Sequence, residues 1–204
     1  MPESVKWPNK PKTDNFLLQV PYNNQNDNSP RKGSGPGSRQ CNITCAAMLA
    51  QYFYPSVWSG YQDFANGAQD ILAPFGDTTN HTAVTRALET IGIKSYFTYS
   101  ASMDDISRAL FLGTPVIIGT KYKVSGHMVL LIGRAPGKFV CHNPYGSRAG
   151  TSDWWNSIGG KSGEYEVLSA AWMQACFVDG GPEAGWARFV TNVGGIPTGV
   201  KSGL

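Results

Sequence analysis

The apolar residues of this chain change their spacing near residue 114, and that change limits what the chain can fold into more than any other feature. From Cys41 onward, Ile43, Ala46, Ala47, Leu49, Ala50 and Phe53 recur at steps of three and four until Pro55 stops the run, which predicts a helix beginning at Cys41. Residues 61–72 predict a second helix. Thr79 or Asn80 N-caps a third, running through Val84, Leu88 and Ile91 to Gly92. Ser102, followed by Asp104 and Asp105, caps a fourth that ends near Gly113. Beyond that point the apolar runs are short and bounded by Gly and Pro. Residues 115–120, 127–133 and 138–143 predict three neighbouring antiparallel strands. A short helix at 169–174 and a last strand near 188–193 complete the body. The expectation is an α+β fold, with a helical N-terminal half packed on a C-terminal antiparallel sheet.

At 204 residues the chain fits one domain with extensions. Residues 1–15, rich in Pro, Lys and Asn, predict an extended arm; 16–193 form the domain, and 194–204 a loose Gly-rich tail. Within the domain, residues 16–22 read as a strand and 23–40 as a loop containing Gly33, Ser34, Gly35, Pro36 and Gly37. The net charge of +3 and pI near 8.6 come without any Lys/Arg block, so no nucleic-acid partner is expected, whereas an anionic polymer such as a cell wall is compatible. No apolar run reaches the ~18 residues needed to cross a bilayer, and the first residues lack the apolar stretch of a signal peptide. The expectation is a soluble protein made in the cytoplasm. Four cysteines are too few for a disulfide scaffold and their spacing fits no zinc signature; neither a metal nor an organic cofactor is expected.

One of those cysteines invites chemistry. A thiol attacks as its thiolate, and a helix N-terminus favours that form with unpaired N–H groups and partial positive charge, a position that Cys41 holds. Cys45, one turn along the same face, reads as a small buried apolar residue. His127 opens the strand run 128–132 behind Gly126, where backbone or ligand can approach closely. Alone it is an ordinary strand-end histidine; paired with Cys41 and Asn143 it becomes a general base. A hairpin from His127 through Gly133 returns the chain at Asn143, whose amide oxygen can accept from the imidazole and leave the other ring nitrogen facing the thiol. Alternation puts Cys141 and Asn143 on one side and His142 on the other. His81, near a helix start, reads as structural or exposed. For the oxyanion, Gln25 or Gln40 can join the Cys41 N–H; Gln40 immediately precedes the nucleophile and more easily points away, which favours Gln25. Trp154 and Trp155 offer flat surfaces to a peptide or sugar, or anchor their loop to the body.

Four blocks carry a family likeness: Val20, Pro21, Tyr22 and Gln25; Cys41, Asn42 and Thr44; Gly126, His127 and Val129; and Asn143, Pro144 and Gly146. In this order they resemble the C39-like cysteine peptidase family of the papain-like superfamily, over roughly residues 16–180. The resemblance implies a papain-like fold with Gln25 at the oxyanion, Cys41 as nucleophile, His127 as base and Asn143 at a position usually held by Asp. Asn for Asp is one departure; a Gly/Ser/Pro-rich insertion at 29–40, able to gate the cleft, is another. Cys45 stands where Ser is more usual. The implied activity is cleavage of peptide or amide bonds by acyl transfer to water. The family includes leader-trimming peptidases of export systems and wall-degrading proteins of phages and bacteria. The missing membrane segment and the loose ends favour a wall-directed enzyme acting on peptidoglycan stem or cross-bridge peptides, with virion or cell-wall association. The alternative is a non-catalytic peptide-binding or virion-assembly module on the same fold.

Overall fold

The computed structural model describes residues 13–31, 35–120, 126–146 and 163–200. Its centre is α1 (Cys41–Phe53), in which all but Cys41 and Gln51 are buried. A helix enclosed on every side needs no polar face, and Ala46, Ala47 and Ala50 let neighbours approach it closely. Met48, Leu49 and Phe53 are fully buried, each contributing roughly 1.5–3 kcal/mol by leaving water. Around it stand α2 (Phe64–Leu72) and α3 (His81–Thr90), N-capped by Asp63 and Asn80. α4 (Met103–Phe111) opens with a capping box between Ser102 and Asp105, and α5 (Ala170–Cys176) is capped by Ser169.

The sheet comprises β1 (Phe16–Leu17), β2 (Ile93–Ala101), β3 (Val116–Thr120), β4 (His127–Ala135), β5 (Lys138–His142), β6 (Glu166–Ser169), β7 (Gly185–Val193) and β8 (Ile196–Pro197). Its order is β2-β7-β3-β4-β5-β6, with β1 on β4 and β8 on β7, all pairs antiparallel. The three strands expected as neighbours are neighbours, and α1 packs on the sheet as expected, while α2 packs on α1 and α3. β2 and β6 go beyond that reading. β2 lies in the supposedly helical half; its aromatic and β-branched residues suit a strand, but two register breaks erase the period-two pattern. The stretch read as a strand over 16–22 pairs only at Phe16 and Leu17. The stretch read as a loose tail turns at Gly194 and Gly195, returns as β8 and buries Thr198, whose hydroxyl donates to the Val190 carbonyl at 2.7 Å.

The β4–β5 ladder contains an irregularity that matters for the site. Near the turn the pairs are Ala135 with Lys138, Arg134 with Phe139 and Gly133 with Val140; beyond it they are Leu131 with Cys141 and Leu130 with His142. Ile132 is therefore an extra residue, a β-bulge. Continued, the shifted register sets Asn143 opposite Val129, on the face of His127. An unbroken ladder would set it opposite Leu130, on the other face. The expected return of Asn143 to His127 thus occurs through the bulge, not through a regular hairpin.

The antiparallel topology collects the ends of β2, β3 and β5 and the starts of β4, β6 and β7 along one edge of the sheet. The first residues of α1 reach the same edge.

Candidate active site

Cys41, the first residue of α1, is half-buried. Gln40 supplies no side-chain cap and no acidic residue stands in the first turn, so the positive end of the helix is left to the sulfur. Burial pushes the Cys41 thiol above its ordinary value, while the backbone N–H groups of Met128, Asn42 and Cys41 itself pull it back. Met128 directly follows His127, so the sulfur meets β4 one residue from the imidazole.

His127 is buried, and its Nε2 lies 2.9 Å from Asn143 Oδ1. The Asn143 amide is fixed from two sides: its Nδ2 donates to Glu166 Oε2 at 2.9 Å, and its Oδ1 accepts from the Tyr145 N–H at 3.1 Å. An amide so held presents oxygen to the ring, so Nε2 carries the hydrogen and Nδ1 is left as an acceptor. Burial lowers His127 to about 4, against the raising effect of the Asn143 bond. The ring is neutral at neutral pH, as a proton acceptor must be. Gly163 packs so closely that a Cβ there would run into the Asn143 carbonyl oxygen, and its own carbonyl accepts the Asn143 N–H at 2.9 Å.

Gln25 is fully buried between the segment that follows Asn143 and the turn that precedes Cys41. Its backbone N–H donates to the Pro144 carbonyl at 2.7 Å and its Nε2 to the Gly37 carbonyl at 2.8 Å, while Oε1 has no partner among the described residues. Gly37 is required there, because a Cβ would collide with the Gln25 carbonyl oxygen. Gln40 is buried too, with Nε2 donating to the Gly35 carbonyl at 2.7 Å, back into the turn. The part of the 29–40 insertion that is described is thus tied to both glutamines.

Cys45 is buried, its sulfur 3.6 Å from the Met128 carbonyl. His142 points away from the thiol: its Nε2 donates to the Val20 carbonyl at 2.8 Å and its Nδ1 accepts from the Tyr165 N–H at 3.3 Å. His81 is structural, stacked on Phe97 at 3.5 Å between ring centroids. Gly126 has open space where a Cβ would stand, so no close approach requires glycine there. Trp154 and Trp155 lie outside the described residues. Among the described residues no group of three or more His, Cys, Asp or Glu could hold a metal ion.

Two features escaped the sequence reading. One is Glu166, on a strand of four residues that was not anticipated. The other is an aromatic group on β2 and β7: Tyr99 and Trp186 meet edge to face at 5.1 Å and are 59% and 42% exposed. Trp186 packs over Gly119 beside the Met128 sulfur, and Asn42 Nδ2 reaches His81 Nδ1 at 3.5 Å, which ties this group to the start of α1. The clustered aromatics of β2 were the signal available in the sequence.

Among solved structures the chain is similar to a protein of Bacillus anthracis described as a C39-like peptidase, at 15% identity and a TM-score of 0.50, covering 89% of this chain and all of that one. It is also similar to a double glycine motif protease from an AMS/PCAT transporter in complex with the leader peptide, at 12% identity, a TM-score of 0.49 and coverage of 87% and 94%. The peptidase domain of Streptococcus ComA, a bifunctional ABC transporter, matches at 15% identity, a TM-score of 0.47 and coverage of 75% and 91%. No curated protein sequence matches. The model of the Peptidase_C39 like family matches residues 17–174, the stretch that holds α1, the β4–β5 hairpin and β6. The chain belongs to the Peptidase_C39 like family of cysteine peptidases.

Proposed function

We propose that the chain hydrolyses peptide or amide bonds through Cys41, His127 and Asn143, with Gln25 assisting. The observation that carries the reading is the His127–Asn143 bond of 2.9 Å beside an uncapped helix start bearing a thiol. His127 Nδ1 takes the proton of Cys41, and the thiolate attacks the substrate carbonyl. The Cys41 N–H and the second N–H of Gln25 Nε2 then hold the oxyanion. The imidazolium returns its proton to the departing amine, and water, deprotonated by the same ring, releases the acyl group and restores the thiol. Asn143 keeps the ring in the productive tautomer throughout.

The substrate to test first is peptidoglycan, at its stem or cross-bridge peptides; the net charge of +3 favours an anionic wall. Tyr99 and Trp186, at the same sheet edge, supply flat apolar faces for substrate groups. Iodoacetamide at neutral pH should modify Cys41 much faster than an ordinary exposed thiol, and Cys41→Ala should abolish hydrolysis. A Cys41 no more reactive than a free thiol in solution would sink the enzymatic reading in favour of a peptide-binding module. Mass spectrometry of digested peptidoglycan reads the substrate: new peptide ends support a wall enzyme, and intact stems and cross-links reject it.

A further inference from the structure

We propose that Glu166 is a positioning residue of this site, its carboxylate supplying through the Asn143 amide the negative charge that position 143 itself lacks. This rests on the Cys41, His127 and Asn143 reading given above. A neutral amide can orient an imidazole but does nothing to balance the positive charge that the ring gains when it takes the thiol proton. Glu166 Oε2 accepts from Asn143 Nδ2 at 2.9 Å, and Asn143 Oδ1 stands 2.9 Å from His127 Nε2, so carboxylate, amide and imidazole form one line. Hydrogen bonds in series polarise one another: the carboxylate draws on Nδ2, Oδ1 becomes more negative, and the N–H of the imidazolium is held more firmly.

The fold builds this reach deliberately into one face. Glu166 pairs with Cys141 across the β5–β6 ladder, and Asn143 lies two residues beyond Cys141, so both side chains emerge on the same side at a diagonal. Orientation of the amide is already secured by the Tyr145 N–H, which leaves charge as the distinct contribution of Glu166. Among the described residues the other titratable groups nearby include Tyr22, whose hydroxyl donates to the Asn143 carbonyl at 3.1 Å, Cys141, paired with Glu166 across the ladder, Tyr145, edge-on to His127 at 6.0 Å, and His142 with Glu164; His142 is bonded away from the thiol, to the Val20 carbonyl.

The test separates charge from shape. Glu166→Gln should lower kcat roughly tenfold with KM unchanged, a typical loss for a group acting one bond behind the reacting side chains. It should lower alkylation of Cys41 at pH 7 by a similar factor, while the rate on its alkaline plateau, where the thiol ionises without help from the ring, stays within twofold of the wild type. Adding Asn143→Asp to that variant returns a carboxylate directly to the ring and should restore both the pH 7 rate and kcat; a merely structural role for Glu166 would not be repaired this way. Should E166Q fail to fold, the N143D/E166Q protein carries the test by the same ratio of the pH 7 rate to the alkaline-plateau rate against the wild type. Unchanged kcat and an unchanged ratio in E166Q overturn the proposal, as does a double variant no better than the single one. A wild type whose Cys41 is unreactive at pH 7 would instead sink the underlying reading, so the two failures are told apart.

Discussion

The sheet carries two buried polar systems, and they treat charge in opposite ways. On β4, β5 and β6 the line from His127 through Asn143 ends in the carboxylate of Glu166. On β7, Arg188 is fully buried with no carboxylate in ion-pair reach among the described residues. Its guanidinium gives Nη1 to the Thr85 and Ser95 hydroxyls at 2.6 and 3.2 Å and Nη2 to the His81 carbonyl at 2.8 Å, and lies 5.7 Å from the centre of the Phe97 ring. Burial pushes Arg188 down to about 9, still above neutral pH, so a cation is held by neutral oxygens and a ring face. The difference teaches a division of labour. The first system is arranged so that a proton can move; the second joins α3, β2 and β7 and is arranged so that nothing does.

The strongest way to break this comparison is to remove one group from each side and read activity against stability. His127→Ala should cost about 10⁴-fold in kcat/KM, the scale for losing a member of a cooperating set. Its unfolding free energy should fall by less than about 3 kcal/mol, the cost of leaving one buried acceptor unpaired. Arg188→Ala should do the reverse. It leaves a cavity and unpaired oxygens between three elements, lowering stability by about 3–5 kcal/mol in urea titration, with kcat per folded molecule retained. Comparable activity losses in both variants would erase the division.

Acid sharpens it next. Burial lowers His127 and His81 to about 4, the latter with help from Arg188, and lowers His142 as well. As pH falls from about 6.5 to 4, the unfolded chain binds protons that the native histidines refuse, so stability declines across that window and is unaffected by these groups above it. His127 alone should account for on the order of 3 kcal/mol of the decline. Thermal melts of His127→Asn and His81→Asn between pH 7 and 4 divide the loss between the two regions; a flat profile in the wild type would show that neither ring is held neutral. The smallest effect belongs to the exposed edge of the Arg188 region. Trp186→Ala should raise KM about tenfold, roughly the 1–1.5 kcal/mol expected of one aromatic contact, with kcat unchanged.

Much of the scaffold was legible in the sequence because local signals agreed with tertiary roles. Pro55, Asn80 and Ser102 mark helix limits where their side chains or ring act, and these need no knowledge of the rest of the fold, whereas the helix read from 61 starts only at Phe64, behind its cap Asp63. The meeting of His127 with Asn143 was legible only in part: alternation in β5 separates Asn143 from His142, but the bulge decides which of the two shares a face with His127. What stayed hidden depends on pairing between distant strands. The bulge at Ile132 leaves no trace in a run of apolar residues, and Glu166 lies on a strand too short to announce itself. β2 was hidden by its own register breaks, and with it the aromatic group of Tyr99 and Trp186. The burial of Arg188 was hidden too, because nothing local in the sequence says that two hydroxyls and a helix carbonyl will surround it.

The bulge at Ile132 makes the hairpin a counting device. Side chains in a ladder have only two phases, and one supernumerary residue between His127 and Asn143 decides whether ring and amide are in step. Lengthening the tip at Gly137 leaves that phase alone, because every rung below it keeps its partner. Deleting a single residue within the strand inverts the phase at a stroke, however conservative the change looks in composition. Insertions and deletions here should therefore be tolerated by parity and position more than by size.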